Sequence, residues 1–171
     1  MSLDPSLHQV DEVDALVEAW RRERPDLDVA PLEVLSRVTR LARHLDLARR
    51  EAFETHGLEP WEFDVLAALR REGPPYALSP GRLLQVTLVT SGTMTNRIDR
   101  LEAKRLVERV PDPNDGRGVQ VVLSEEGRRR VDDALDDLLA HERDILAALT
   151  SADRDRLADL LRRLTHPFEA D

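Results

Sequence analysis

The sequence predicts a mainly α fold carrying one β-hairpin, and three observations lead there. Apolar residues recur at steps of three and four along most of the 171 residues. The period falls to two in just two places, Leu106–Val110 and Val119–Leu123, both rich in β-branched residues. Between them lies Pro111-Asp112-Pro113-Asn114-Asp115-Gly116, a run of turn formers.

The elements follow in order. Val10, Val13, Val17 and Trp20 mark a first helix, for which Asp4 is the expected cap and Pro5 the first residue. Pro25 and Pro31 bracket a linker. A second helix is expected over 32–56, with Leu35, Val38, Ala42, Leu45, Ala48 and Ala52 on one narrow face and Gly57 as its stop. Pro60 opens a third helix that runs to Arg71, before Gly73-Pro74-Pro75. Tyr76-Ala77-Leu78 reads as a short strand, and Ser79-Pro80 starts a short helix to Val86. Val89 to Gly92 form a turn and cap. The next helix, from Ser91 to Lys104, turns Met94, Ile98 and Leu101 inward. After the hairpin, Ser124 caps a long helix to Leu149, and Thr150 opens a last one with Asp153 at its third position. The end after Thr165 is expected to fray.

Two short helices joined by a tight turn and followed by a hairpin make a winged helix-turn-helix. The long one-sided helices exceed what such a lobe needs, and a homodimer interface is their economical use. The expected division is an additional helix over 1–24, a dimerisation helix over 32–56, the winged helix-turn-helix lobe over 57–123 and C-terminal dimerisation helices over 124–171, all in one compact domain.

Charge first argues against a nucleic-acid partner, because the net charge is -9. Its distribution reverses the inference. Between Arg82 and Arg109 six basic residues (Arg82, Arg97, Arg100, Lys104, Arg105, Arg109) face three acids (Asp99, Glu102, Glu108). That leaves the surplus of acid elsewhere in the chain. All but one of the basic residues are Arg, the exception being Lys104.

The helix from Ser91 offers Ser91, Thr93, Thr95, Asn96 and Arg100 as donors and acceptors sized for base edges and phosphates in a major groove. Asn96 suits adenine, Arg100 suits guanine or phosphate, and the helix N-terminus suits a phosphate. At the hairpin tip Arg117, between Gly116 and Gly118, is placed to enter a minor groove or to pair with Asp112 or Asp115 in its own loop.

The stretch from Gly57 to Arg130 resembles the MarR-type regulators. The matching pieces are Trp61-Glu62-Phe63-Asp64-Val65-Leu66, Thr95-Asn96-Arg97-Ile98-Asp99-Arg100-Leu101-Glu102, Leu106-Val107-Glu108-Arg109, Asp112-Pro113-Asn114-Asp115-Gly116-Arg117 and Leu123-Ser124-Glu125-Glu126-Gly127. One departure is Gly116, where the family usually places a first wing arginine. The resemblance implies a homodimer on a pseudo-palindromic operator of double-stranded DNA, usually a repressor released by a small molecule.

Arg97 lies at the edge of the apolar face of its helix, where a half-buried guanidinium needs a carboxylate or an anion. Asp64 sits at the edge of the apolar face of the helix from Pro60, between Phe63 and Val65. Trp20, Asp64, Arg97 and Arg109 resemble the signature of the urate-responsive branch, which shares the additional N-terminal helix. The resemblance implies an anionic, purine-like effector held by Trp20 and Arg109, displacing Asp64 and shifting the reading helix through Arg97. Tricarboxylates are an alternative effector. Asp64–Arg97 as a static ion pair, Trp20 as core and Arg109 as a DNA-backbone contact are the competing readings of the same residues.

Other classes fare worse. The absence of cysteine excludes disulfides, thiolate zinc sites and thiol redox sensing. His8, His44, His56, His141 and His166 lack the pairing of metal ligands. No phosphate loop or nucleophile elbow is present. A non-enzyme without cofactor or metal, cytoplasmic and without a membrane segment, is expected. A protein-interaction module of the same fold that has lost DNA binding is the alternative.

Overall fold

The computed structural model describes residues 10–87, 91–113 and 118–168. The chain divides into two compact units, Met1–Leu47 and Ala48–Asp171.

The first unit holds α1 (Glu12–Glu23) and the beginning of α2 (Ala30–Glu54). Asp11, in extended conformation, caps α1. Its carboxylate accepts the Val13 and Asp14 N–H groups at 2.8 and 3.0 Å, and Asp14 accepts the Asp11 N–H at 2.8 Å. The described helix therefore begins after Asp11, with Val10 exposed before it; the expected cap Asp4 and first residue Pro5 lie outside the described residues. Val13 and Val17 bury against Val29, with Leu16 and Leu32 packed around them. Arg37 reaches both capping acids, Asp11 and Asp14, at 2.8 Å each. Pro31 is the second residue of α2 rather than a linker boundary, since a first-turn proline has no intrahelical N–H bond to lose.

Helix α2 ends at Glu54, two residues before the expected limit, in a left-handed cap. Gly57 has φ 68°, its N–H bonds Glu54 O at 2.9 Å, and the Leu58 N–H bonds Phe53 O at 3.0 Å. Phe53 and Leu58 both face the core of the second unit, where Phe53 stacks on Phe63 with ring centroids 4.0 Å apart.

That second core gathers α3 (Pro60–Arg71), β1 (Ala77–Leu78), α4 (Pro80–Thr87), α5 (Ser91–Ala103), β2 (Val107–Pro111), β3 (Val119–Leu123) and α6 (Glu125–Ile145). The sheet is antiparallel in the order β1-β3-β2, with Leu78 opposite Val121 and Arg109 opposite Val121 on its other side. Tyr76 stays out of the strand because its φ is 60°. Leu106 closes α5 instead of opening β2: its N–H bonds Leu101 O at 3.0 Å, with Arg105 left-handed at φ 59°. Ser124 caps α6 as expected, accepting the Gly127 N–H at 2.9 Å. Gly127 lies so close to the hairpin base that a Cβ there would stand 2.1 Å from Leu106 O. Helix α6 stops at Ile145, a 3-10 turn covers Leu146–Ala148, and Thr150 caps α7 (Ser151–Thr165), followed by a second 3-10 turn, His166–Phe168.

Candidate nucleic-acid interface

Helix α5 is anchored from below by Met94, Ile98 and Leu101, each at most 1 % exposed. This fixes its rotation, and the opposite side is thereby presented outward. Thr93, Thr95 and Asn96 are exposed, as a groove-reading face requires. Thr93, Asn96 and Arg100 fall at i, i+3 and i+7, on one stripe. Ser91 begins the helix, but its side chain is outside the described residues, as is Arg117 with the rest of the wing tip from Asn114. The stem of the wing is ordered by the full β2–β3 register and by the Asp112 N–H bonding Gly118 O at 2.9 Å.

Arg100 does not extend freely. Its Nη2 donates to Glu59 Oε1 at 2.6 Å, and its guanidinium carbon lies 4.8 Å from the centroid of the Trp61 ring. The Trp61 indole N–H donates to the other Glu59 oxygen at 2.7 Å. That bond, followed by the Arg100 charge, outweighs desolvation and holds the Glu59 carboxyl below its ordinary range. Lys104, one turn further along, meets Glu62, with Nζ 2.6 Å from Oε1 and 2.8 Å from Oε2. Glu62 is the one charged residue among the described buried side chains, and it also accepts the Glu59 N–H at 2.9 Å. The N-terminal turn of α3 thus engages three cations on or just past α5.

Arg97 is the third of them. Its guanidinium lies 5.3 Å from the Trp61 centroid. The Asp64–Arg97 ion pair weighed in the sequence is not formed. Asp64 instead pairs with Arg49 at 3.0 Å, a residue one α2 turn before the Phe53 stack that joins α2 to α3. Arg109, on β2, pairs with Asp99 and Glu102 of α5, and its backbone N–H bonds Glu102 at 3.2 Å. Partial burial opposes the Arg109 charge, but the two carboxylates outweigh it and raise its pKa. Trp20 lies on α1 in the first unit, where it is 47 % exposed rather than core.

The local charge surplus is smaller than the count along 82–109 suggests. Glu59 and Glu62 enter the neighbourhood from the start of α3 and neutralise Arg100 and Lys104, while Arg109 is held by the acids of α5. Glu59 carries no motif signal in the sequence, and Trp61 and Glu62 stand there only as part of the stretch that resembles the family. The signal was the spacing of Arg97, Arg100 and Lys104 on one face, which asks for an acidic or aromatic counterpart. Among the described residues no cluster of His, Asp and Glu is arranged to hold a metal ion, and no helix is long and apolar enough to cross a membrane.

Comparison with known proteins agrees with this geometry. A family model, that of the MarR family, matches residues 56–118. The HTH-type transcriptional regulator PecS of Dickeya dadantii is 37 % identical over 153 residues, covering 90 % of this chain and 92 % of its own. A crystal structure of a mutant MarR from E. coli in complex with operator DNA aligns over 81 % of this chain and 99 % of its own, with a TM-score of 0.64 and 27 % identity. Bordetella bronchiseptica BpsR, whose structure is described as showing regulation of DNA binding by 6-hydroxynicotinic acid, aligns over 75 % and 98 % with a TM-score of 0.57 and 28 % identity. With its winged helix-turn-helix lobe, its outward-facing α5 and a relative matched along nearly its whole length, the chain belongs to the MarR family of DNA-binding transcriptional regulators.

Proposed function

We propose that this protein is a repressor that binds a pseudo-palindromic operator as a homodimer in the cytoplasm and is released by a small anionic ligand. The carrying observation is α5 itself: an anchored helix whose exposed Thr93, Thr95, Asn96 and Arg100 are the residues that read the groove, with Ser91 at the helix start and Arg117 on the wing as further contacts. The operator complex of the MarR mutant supports this use of the fold. Dimerisation is supported by apolar side chains left exposed on long helices, Leu35, Val38 and Leu41 on α2 and Leu160, Leu161 and Leu164 on α7. The division into an additional helix, a dimerisation helix, the DNA-binding lobe and C-terminal dimerisation helices belongs to the same proposal.

The ligand reading assigns Trp20, Asp64, Arg97 and Arg109 to a urate-like or other purine-like anion, with tricarboxylates as the second chemistry. Arg97 supports it best. Among the described residues its guanidinium has an aromatic ring but no carboxylate, so it can accept an anion without first losing an ion pair. It is also part of α5, so a new partner acts directly on the reading helix. The test is a titration of urate, related purines and citrate against the operator complex. Release by one of them, weakened at least several-fold in Arg97→Ala, supports the reading. No release by any overturns it. A protein-interaction role without DNA has one observation in its favour, the pairing of Arg100, Lys104 and Arg109 with acids. A salt-dependent gel shift with the protein's own upstream region separates the two.

A further inference from the structure

We propose that Glu59 acts as an internal stand-in for a DNA phosphate: it holds the Arg100 guanidinium in the free protein and yields it when DNA binds, while the Trp61 ring keeps that guanidinium at the edge of the reading helix. The inference rests on Arg100 being a DNA contact, and it adds what governs that contact.

The geometry is that of an occupied anion site. A carboxylate oxygen sits 2.6 Å from Arg100 Nη2, as a phosphate oxygen would. The guanidinium is simultaneously laid on an indole face, which limits its rotamers without consuming its remaining donors. The carboxylate itself is anchored from the far side by the Trp61 N–H, so it stays in place when the arginine leaves. Glu59 stands directly before α3, fixed there by its backbone N–H bond to buried Glu62. The pair is half exposed on both sides, at 49 % and 50 %, so water and salt screen it and a polyanion can compete. Arg100 shares its stripe with exposed Thr93 and Asn96, so release of Glu59 returns its charge to the face that meets DNA. The arrangement restrains non-specific binding: a lone phosphate gains little by replacing a carboxylate already in position, whereas a duplex that also satisfies Asn96 and the threonines does.

The test is a double-mutant cycle on operator affinity with Glu59→Gln and Arg100→Gln. Gln keeps the shape of Glu59 and an acceptor for the indole. Arg100→Gln alone is expected to weaken binding; if it does not, the DNA contact of Arg100 is wrong. Glu59→Gln alone is expected to tighten binding about two- to fivefold for each Arg100 engaged, and the gain is expected to vanish in the Arg100→Gln background. Glu59→Gln that leaves affinity unchanged or weaker overturns the competition while the Arg100 contact stands. So does an equal gain in both backgrounds, which is general charge repulsion. A second measurement needs no change at Glu59. In protein labelled with fluorotryptophan, the fluorine signal of Trp61, assigned with Trp61→Phe, shifts on adding operator duplex, with the midpoint of binding. A signal that stays fixed at saturation shows that the latch never opens and overturns the proposal.

Discussion

Replacing Lys104 with methionine removes the ammonium that neutralises Glu62 and leaves the aliphatic stem. Glu62 is 0 % exposed, and among the described residues its carboxylate would retain only the Glu59 N–H. Taking away one member of a fully buried ion pair costs about 3–5 kcal/mol, because the remaining charge is stranded. Here the lysine side chain is 39 % exposed, and one hydrogen bond survives. Both place the cost near the low side, about 2–3 kcal/mol. For a chain of this length that lowers Tm by roughly 5–10 °C. Thermal and urea unfolding followed by circular dichroism read it directly. Glu62→Gln combined with Lys104→Met removes the buried charge at this site and is expected to recover more than half of the loss. A single mutant within about 1 °C of the parent, or a double mutant as unstable as the single, would refute the view that this pair ties α5 to α3.

Gly127→Ala is expected to destabilise by about 2–3 kcal/mol or more, since its Cβ would meet Leu106 O at 2.1 Å and Leu123 Cδ1 at 2.9 Å and α6 must move off the hairpin base; a urea midpoint equal to the parent's contradicts this. Arg105→Gly is expected to stabilise by about 0.5–1 kcal/mol, because Arg105 holds a left-handed φ of 59° that glycine adopts without strain; the same urea series measures it. The Asp11 carboxyl is held down to about 2, chiefly by its hydrogen bond from Arg37. A depressed carboxyl contributes stability above its unfolded pKa of about 3.8, and that contribution is lost as pH falls toward 2. Asp11→Asn should therefore remove part of the acid-sensitivity of α1 helicity between pH 4 and 2, an effect that fades in high salt because the pair is exposed; an unchanged acid profile contradicts it.

The α-helices and strands were legible because they depend on local periodicity and on a few strong punctuators, whereas the 3-10 turns Leu146–Ala148 and His166–Phe168 carry no such signal. Gly57, Pro60 and Ser124 stand where their chemistry places them. The errors fall at ends, where competing local bonds decide. Asp11 takes the cap of α1 because Asp14 completes a reciprocal cap with it, a pairing that apolar periodicity does not announce. Leu106 is drawn into the α5 cap because Arg105 accepts a left-handed conformation no pattern announces. The stripe of α5 was readable from Met94, Ile98 and Leu101, since one buried face fixes the other. The partners of its cations were not. Glu59 and Arg100 are 41 residues apart in sequence, and Arg49 and Asp64 are 15 apart. A charge count along the chain sees neither, so it overstates the basic surplus and suggests the wrong mate for Asp64.

Operator binding measured across a salt series tests the central claim most directly. Fluorescence anisotropy of a labelled duplex from the protein's own upstream region, against a scrambled duplex of equal length, is expected to show binding at low salt, a linear fall of log affinity with log salt, and a preference for the upstream duplex of at least about 10³-fold. No binding at low salt, or equal affinity for both duplexes, would contradict a sequence-specific DNA-binding regulator built on α5.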